Sequence, residues 1–110
     1  MKIVEQMENP EDAKLVTLAT NTLARSGASQ AAALRDTTGR TYVAINVASP
    51  ALTLDAFEAV LTVALASGIT GIESVVATGD QPANIAAITG FAPTATIFYI
   101  DSSGAMKAIK

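Results

Sequence analysis

Ala31-Ala32-Ala33-Leu34-Arg35-Asp36-Thr37-Thr38-Gly39-Arg40-Thr41-Tyr42-Val43-Ala44-Ile45-Asn46-Val47 decides how this chain is organised. The run that opens at Gln30 is apolar as far as Leu34, Asp36-Thr37-Thr38-Gly39 is turn chemistry, and Thr41, Val43, Ile45 and Val47 alternate with Tyr42, Ala44 and Asn46. Successive side chains of a strand point to opposite faces, so period two around a Gly-containing turn predicts an antiparallel hairpin. Pro50 has no N–H to give a ladder, and the second strand is expected to end by Ser49.

Upstream, Asn9-Pro10-Glu11-Asp12 combines an N-cap, a proline at the first helical position and two carboxylates at the positive end of the dipole. Leu15, Val16, Leu18, Ala19, Thr22 and Leu23 keep helical spacing and Gly27 stops it, which predicts a helix over 10–26. Downstream, Thr53 is expected to cap a second helix closed by Ser67-Gly68. Asp55, Glu58 or Ala59, Thr62 and Ala66 form its narrow polar and small stripe. Its other residues, Leu54, Phe57, Val60, Leu61, Val63, Ala64 and Leu65, predict burial on most sides. Gly71 to Ala77 reads as a short buried strand reached by a crossover, hence parallel to one of the first two. Asp80 or Gln81 is expected to cap a third helix from Pro82 to Thr89. Thr94 to Ile100 is a strong strand, and Asp101-Ser102-Ser103-Gly104 turns into a last one over 105–109. The order α-β-β-α-β-α-β-β, with no linker or repeat, predicts a single domain over 1–110 with a short N-terminal extension over 1–9.

Composition narrows the chemistry. A chain of 110 residues folds with roughly 60–70% of its unfolded surface removed from water, enough for one modest core. Twenty-two of the residues are Ala and only 5% are aromatic, so that core is shallow and its small-residue faces suit completion by another subunit. With 7 basic against 10 acidic residues and no Lys/Arg run, the chain lacks the clustered cations a nucleic acid requires. Met1 to Asn9 carries no signal-peptide pattern, and Thr62, Ser67 and Thr70 interrupt the longest apolar run. Neither a membrane partner nor export is expected, and the reading is a cytosolic protein. There is no Cys and no His, which removes disulfides, thiolate and imidazole zinc sites, cysteine nucleophiles and imidazole-based triads.

The hairpin from Ala31 to Tyr42, followed by Asn46-Val47, resembles the "GAALRTxDGRxYxGxNVEN" segment of the small cytidine deaminases, and Leu52-Thr53-Leu54-Asp55-Ala56-Phe57-Glu58 resembles the family's "LTxCAER". The similarity runs over roughly residues 11–100. It implies a cytidine deaminase-like α/β fold: a three-layer α/β/α sandwich with a five-stranded mixed sheet whose last strand is antiparallel. It further implies dimers or tetramers built through helix faces near the active site, so a homodimer or homotetramer is expected.

Set against the family's pattern, the departures fall where the chemistry would be. Deaminases of this kind use three His/Cys zinc ligands and a Glu that carries protons. Asp55 stands at the first ligand position and Phe57 at that of the Glu. Pro82-Ala83-Asn84-Ile85-Ala86 matches "PCGxC" with Ala at both remaining ligand positions. Asn46 and Val47 persist from "NVEN", but Ala48 replaces the sugar-binding Glu, and the segment from Asn46 to Asp55 is shortened by about two residues relative to the pattern. Asn46, Asp55, Phe57, Pro82 and Ala83 are therefore the candidates for a remnant pocket. Neither a catalytic residue nor a metal or other cofactor is expected. In structural terms, Asp55 suits a helix first turn, Phe57 fills the volume of metal and water, and Asn46 bonds neighbouring backbone.

Three functions compete at this point: a non-catalytic oligomeric interaction module, with a protein partner the residues do not identify; a weak nucleoside or small-molecule binder around Asn46; and a metal-independent enzyme using Asp55, Glu58 or Asp80 as acid/base groups.

Overall fold

A computed structural model of the chain describes residues 9–110; the expected extension over 1–9 lies, apart from Asn9, outside the described residues. Helix α1 (Pro10–Ser26) begins as its sequence dictates. Asn9 is extended and its side chain accepts from the Glu11 N–H at 2.9 Å. Gly27 closes the helix in the left-handed region at φ 68°, donating to the Leu23 carbonyl.

Strands β1 (Gln30–Asp36) and β2 (Thr41–Ile45) form the expected hairpin, in register from Ala31 opposite Ile45 to Arg35 opposite Thr41. Asp36 organises the turn: its Oδ1 accepts from the Thr38 N–H at 2.9 Å, the Thr38 hydroxyl at 2.7 Å and the Arg40 N–H at 2.9 Å. Burial alone would push the Asp36 carboxyl up. The Thr38 hydroxyl, the Arg40 and Thr38 N–H groups and the Arg40 charge outweigh it and hold the group below its ordinary value.

The chain then departs from the expected course. β2 stops at Ile45, and Val47–Ala48 (β3) pairs instead with Thr53–Leu54 (β4) in a separate two-stranded ribbon. The break is at Asn46, whose side-chain oxygen takes the Gln30 N–H at 3.0 Å that a continuing strand would have bonded through its backbone. Thr53 is thus a strand residue, and the cap of α2 (Ala56–Ala66) is Asp55. The helix is buried along Phe57, Val60 and Ala64, but Val63 and Leu65 remain 43% and 44% exposed, so its last turns are less covered than their composition predicts.

Strand β5 (Ile72–Gly79) lies antiparallel against β1. It runs in the same direction as β2, as the crossover requires, yet β1 sits between the two. β6 (Thr96–Ile100) follows α3 (Ala86–Phe91) and pairs parallel to β5. β7 (Met106–Ala108) returns antiparallel, as its turn predicts. The sheet order is β2-β1-β5-β6-β7. The third helix starts later than expected and has no side-chain cap from Asp80 or Gln81. Asn84 Oδ1 accepts from the Ala86 N–H at 3.0 Å, a local turn that competes with helix over the preceding residues.

Helices cover both faces of this mixed sheet, giving the expected α/β/α layering. Leu15, Val16 and Ala19 of α1 pack on Ala33, Val76 and Ile100. On the other face, Phe57, Val60, Ala64 and Ile88 pack on Ala32, Leu34, Val75, Ala77 and Ile97. The first turn of α1 is further fixed by Arg35, 6% exposed, whose Nη2 lies 2.9 Å from Asp12 and whose Nε donates to Glu73 at 3.0 Å.

Because Asp36 titrates below its unfolded value near 3.9, its stabilisation is complete above that pH and disappears as the pH falls through the lower folded value. Thermal melts of Asp36→Ala are expected to show a larger loss relative to the parent chain at pH 7 than at pH 2.5; an equal loss at both would contradict a charge-dependent turn.

Candidate functional site

The carboxyl ends of β2 and β5 feed the two segments that matter. β2 leads through the β3–β4 ribbon to the start of α2, and β5 leads into the loop 80–85. Gly79 ends β5 at φ 94°, and a Cβ there would overlap the Ser29 carbonyl. The Tyr99 hydroxyl donates to the Gly79 carbonyl. Burial, then the Asp101 and Asp80 charges, push the Tyr99 pKa up, which keeps that donor protonated. Asp80 N–H in turn donates to the Ser29 carbonyl at 2.8 Å. The direction in which the loop leaves the sheet is set by these contacts.

At the start of α2, Asp55 is extended at φ −74°, ψ 175°. Its Oδ1 accepts from the Glu58 N–H at 2.9 Å, while Glu58 Oε1 accepts from the Asp55 N–H at 3.0 Å, a complete capping box. The Ala56 N–H, another free donor of the first turn, is taken by Gln30 Oε1 at 3.0 Å. Asn84 reaches across from the loop: its N–H donates to Asp55 Oδ2 at 3.2 Å and its Nδ2 to Glu58 Oε2 at 3.1 Å. One asparagine thereby ties the loop to both carboxylates.

The residues singled out in sequence are not all brought together. Asp55 lies in this network, with both carboxylate oxygens occupied by N–H donors. Asn46 is turned to the sheet, its side-chain oxygen engaged by Gln30. Phe57 is 0% exposed and belongs to the core beneath α2. Pro82 is buried and Ala83 exposed. These two, with Gln81, Ile85 and Ile109, line an open groove of about 380 Å³ that takes in neither Asn46, Asp55 nor Phe57. Asp80 is exposed, and no side-chain bond joins it to Asp55 or Glu58 among the described residues. Gln30 and Asn84 were invisible as site residues, since an amide at a strand start or in a loop carries no spacing signal.

The donor set does not fit a catalytic zinc. Of the three ligand positions, one holds a carboxylate already occupied by two N–H groups, and the other two hold the methyl groups of Ala83 and Ala86. Among the described residues, no three His, Cys, Asp or Glu side chains gather into a metal-binding group. What the arrangement does chemically is satisfy helix-end donors and hold a loop in place.

Two substitutions separate those roles. Asp55→Ala removes the cap and is expected to cost about 1–2 kcal/mol in urea unfolding. Asn84→Ala keeps the capping box and is expected to cost less, about 0.5–1 kcal/mol, while speeding amide exchange over Ala83 to Ala86. Unchanged exchange there would mean that Asn84 does not hold the loop.

The fold has counterparts among known proteins. The family model described as cytidine deaminase-like matches residues 8–104. No curated protein sequence matches significantly. Among solved structures, a cytidine deaminase from Burkholderia pseudomallei superposes with a TM-score of 0.69 at 17% identity, over 88% of this chain and 90% of that one. A cytidine deaminase from Mycobacterium leprae gives 0.58 at 16% identity, over 89% and 88%. At such identities the structures speak for the fold. The family match spans nearly all of the described residues, and the chain belongs to the cytidine deaminase-like family.

Proposed function

We propose that this protein is a non-catalytic member of its family, a pseudoenzyme that acts as a homo-oligomeric interaction module in the cytosol. The observation that carries the reading is Phe57: it stands where the family pattern has the proton-carrying Glu, and its ring is wholly inside the core. A phenyl ring has no proton to move, and water packed out of the position cannot be activated there. Asp55 supports the same reading, because a carboxylate that already accepts from Glu58 and Asn84 has a structural task. Nucleoside binding is disfavoured by Asn46, whose acceptor faces its own sheet.

Self-association is supported by apolar side chains left in water at the end of β2 and in the segment after it: Ile45 is 37% exposed and Leu52 53%. No helix of the described residues is long and apolar enough to cross a membrane.

Purified without added metal, the chain is expected to carry zinc far below one atom per chain and to convert no cytidine to uridine above a buffer blank. Stoichiometric zinc with turnover would overturn the proposal. Phe57→Glu, which restores the missing carboxylate alone, is expected to gain no turnover. It should unfold at markedly lower denaturant, with a loss of about 3 kcal/mol or more, because an unpaired acid replaces a packed ring.

A further inference from the structure

The two edges of the sheet are treated differently. β7 is three residues long and bears Lys107, a short and charged edge of the kind that resists further pairing. β2 is five residues, Thr41-Tyr42-Val43-Ala44-Ile45, with no charge, no proline and no bulge in its pairing with β1. Four of its five residues are β-branched or aromatic, the composition that strands favour.

Which backbone groups that edge offers follows from the ladder. Asp36 N–H donates to the Arg40 carbonyl, and Asn46 N–H to the Gln30 carbonyl. Hydrogen-bonded pairs alternate along an antiparallel ladder, so Tyr42 and Ala44 turn their N–H and C=O groups towards β1. Thr41, Val43 and Ile45 turn theirs outward. Among the described residues, no hydrogen-bond partner meets these outward groups. α1 and α2 lie against the two faces of β2.

The outward set is symmetric about Val43, and that symmetry identifies what fits it. We infer that the outer edge of β2 pairs antiparallel with the same edge of a second copy of this chain, about a two-fold axis at Val43, joining two five-stranded sheets into one. Val43 then bonds Val43 of the second copy, and Thr41 bonds Ile45 of the second copy at both ends, so every outward N–H and C=O of the strand is met. The side chains agree with this register. Tyr42 falls beside Ala44 of the second copy and Ile45 beside Thr41, large against small on each face. Arg40 falls opposite Asn46, so no like charges meet. This rests on the homo-oligomeric part of the proposed function and names its interface.

The chain has no Cys, so a single introduced thiol reports its own position. Paired hydrogen-bonded residues have Cα atoms about 5.5 Å apart, within disulfide reach. In sedimentation velocity the chain is expected at twice its 11.2 kDa mass. Val43→Cys is expected to form a covalent dimer under mild oxidation, while Val63→Cys on the exposed face of α2 does not. Ile45→Lys, a charge on the edge, is expected to raise the dimer dissociation constant at least about tenfold with an unchanged far-ultraviolet circular dichroism spectrum. Should Ile45→Lys fail to fold, the Val43→Cys result still decides. Cross-linking at residue 63 and not at 43, with Ile45→Lys still dimeric, would overturn the edge pairing and leave a helix-face oligomer standing. A chain that sediments as a monomer at every concentration would remove both the edge pairing and the oligomeric reading. The absence of catalysis stands or falls separately, on the turnover assay.

Discussion

The carboxylate of Asp55 has two oxygens and two obligations: one closes the open end of α2 through Glu58, and the other receives the Asn84 N–H from the loop after β5. Helix ends and loops both carry backbone donors that must find acceptors. At this junction a single side chain serves both, with Glu58 and Asn84 completing the circuit. Hydrogen bonds thus connect the start of the helix to the loop. Each bond is individually modest, about 1 kcal/mol net, but they act at one point, and among the described residues Asn84 makes the hydrogen bonds that join the loop to the helix.

Beneath that junction the molecule is packed as core. Phe57 lies with Val60, Leu34, Val75 and Ile97. A polar cavity in this position would leave groups needing water or an ion, whereas a ring gains contacts on every side. Phe57 thus contributes packing at this position and no ionisable group. Nearby, Ala83 and Ala86 present only methyl groups, and the Asp55 carboxylate already accepts two N–H groups.

Most of the architecture was legible in the sequence because it is written in short-range patterns. Asn9-Pro10 and Gly27 bound α1 as capping chemistry requires, and the alternation around Asp36 to Gly39 yields the hairpin with its register. What was not legible depends on contacts distant along the chain. The break after Ile45 comes from Asn46 turning back to Gln30, and the late start of α3 comes from Asn84 serving Asp55 and Ala86. Thr53 and Asp55 are both good caps; the choice between them is made by the β3–β4 ribbon, which a sequence of two-residue strands does not announce. In the site, the residue types that are missing could be read directly, but the amides of Gln30 and Asn84 acquire their roles only when the fold brings them to α2.

Gly79 marks a limit on how such a protein can vary. Its backbone angle, and the carbonyl of Ser29 lying where a Cβ would go, leave a hydrogen as the only substituent the position accepts without shifting β1 or β5. Gln81 and Ala83 in the loop beyond it are under no comparable restriction, since both face solvent. Side chains at such positions can thus be exchanged one by one while the loop's point of departure stays fixed. A scaffold of this kind separates the inheritance of shape from the inheritance of chemistry.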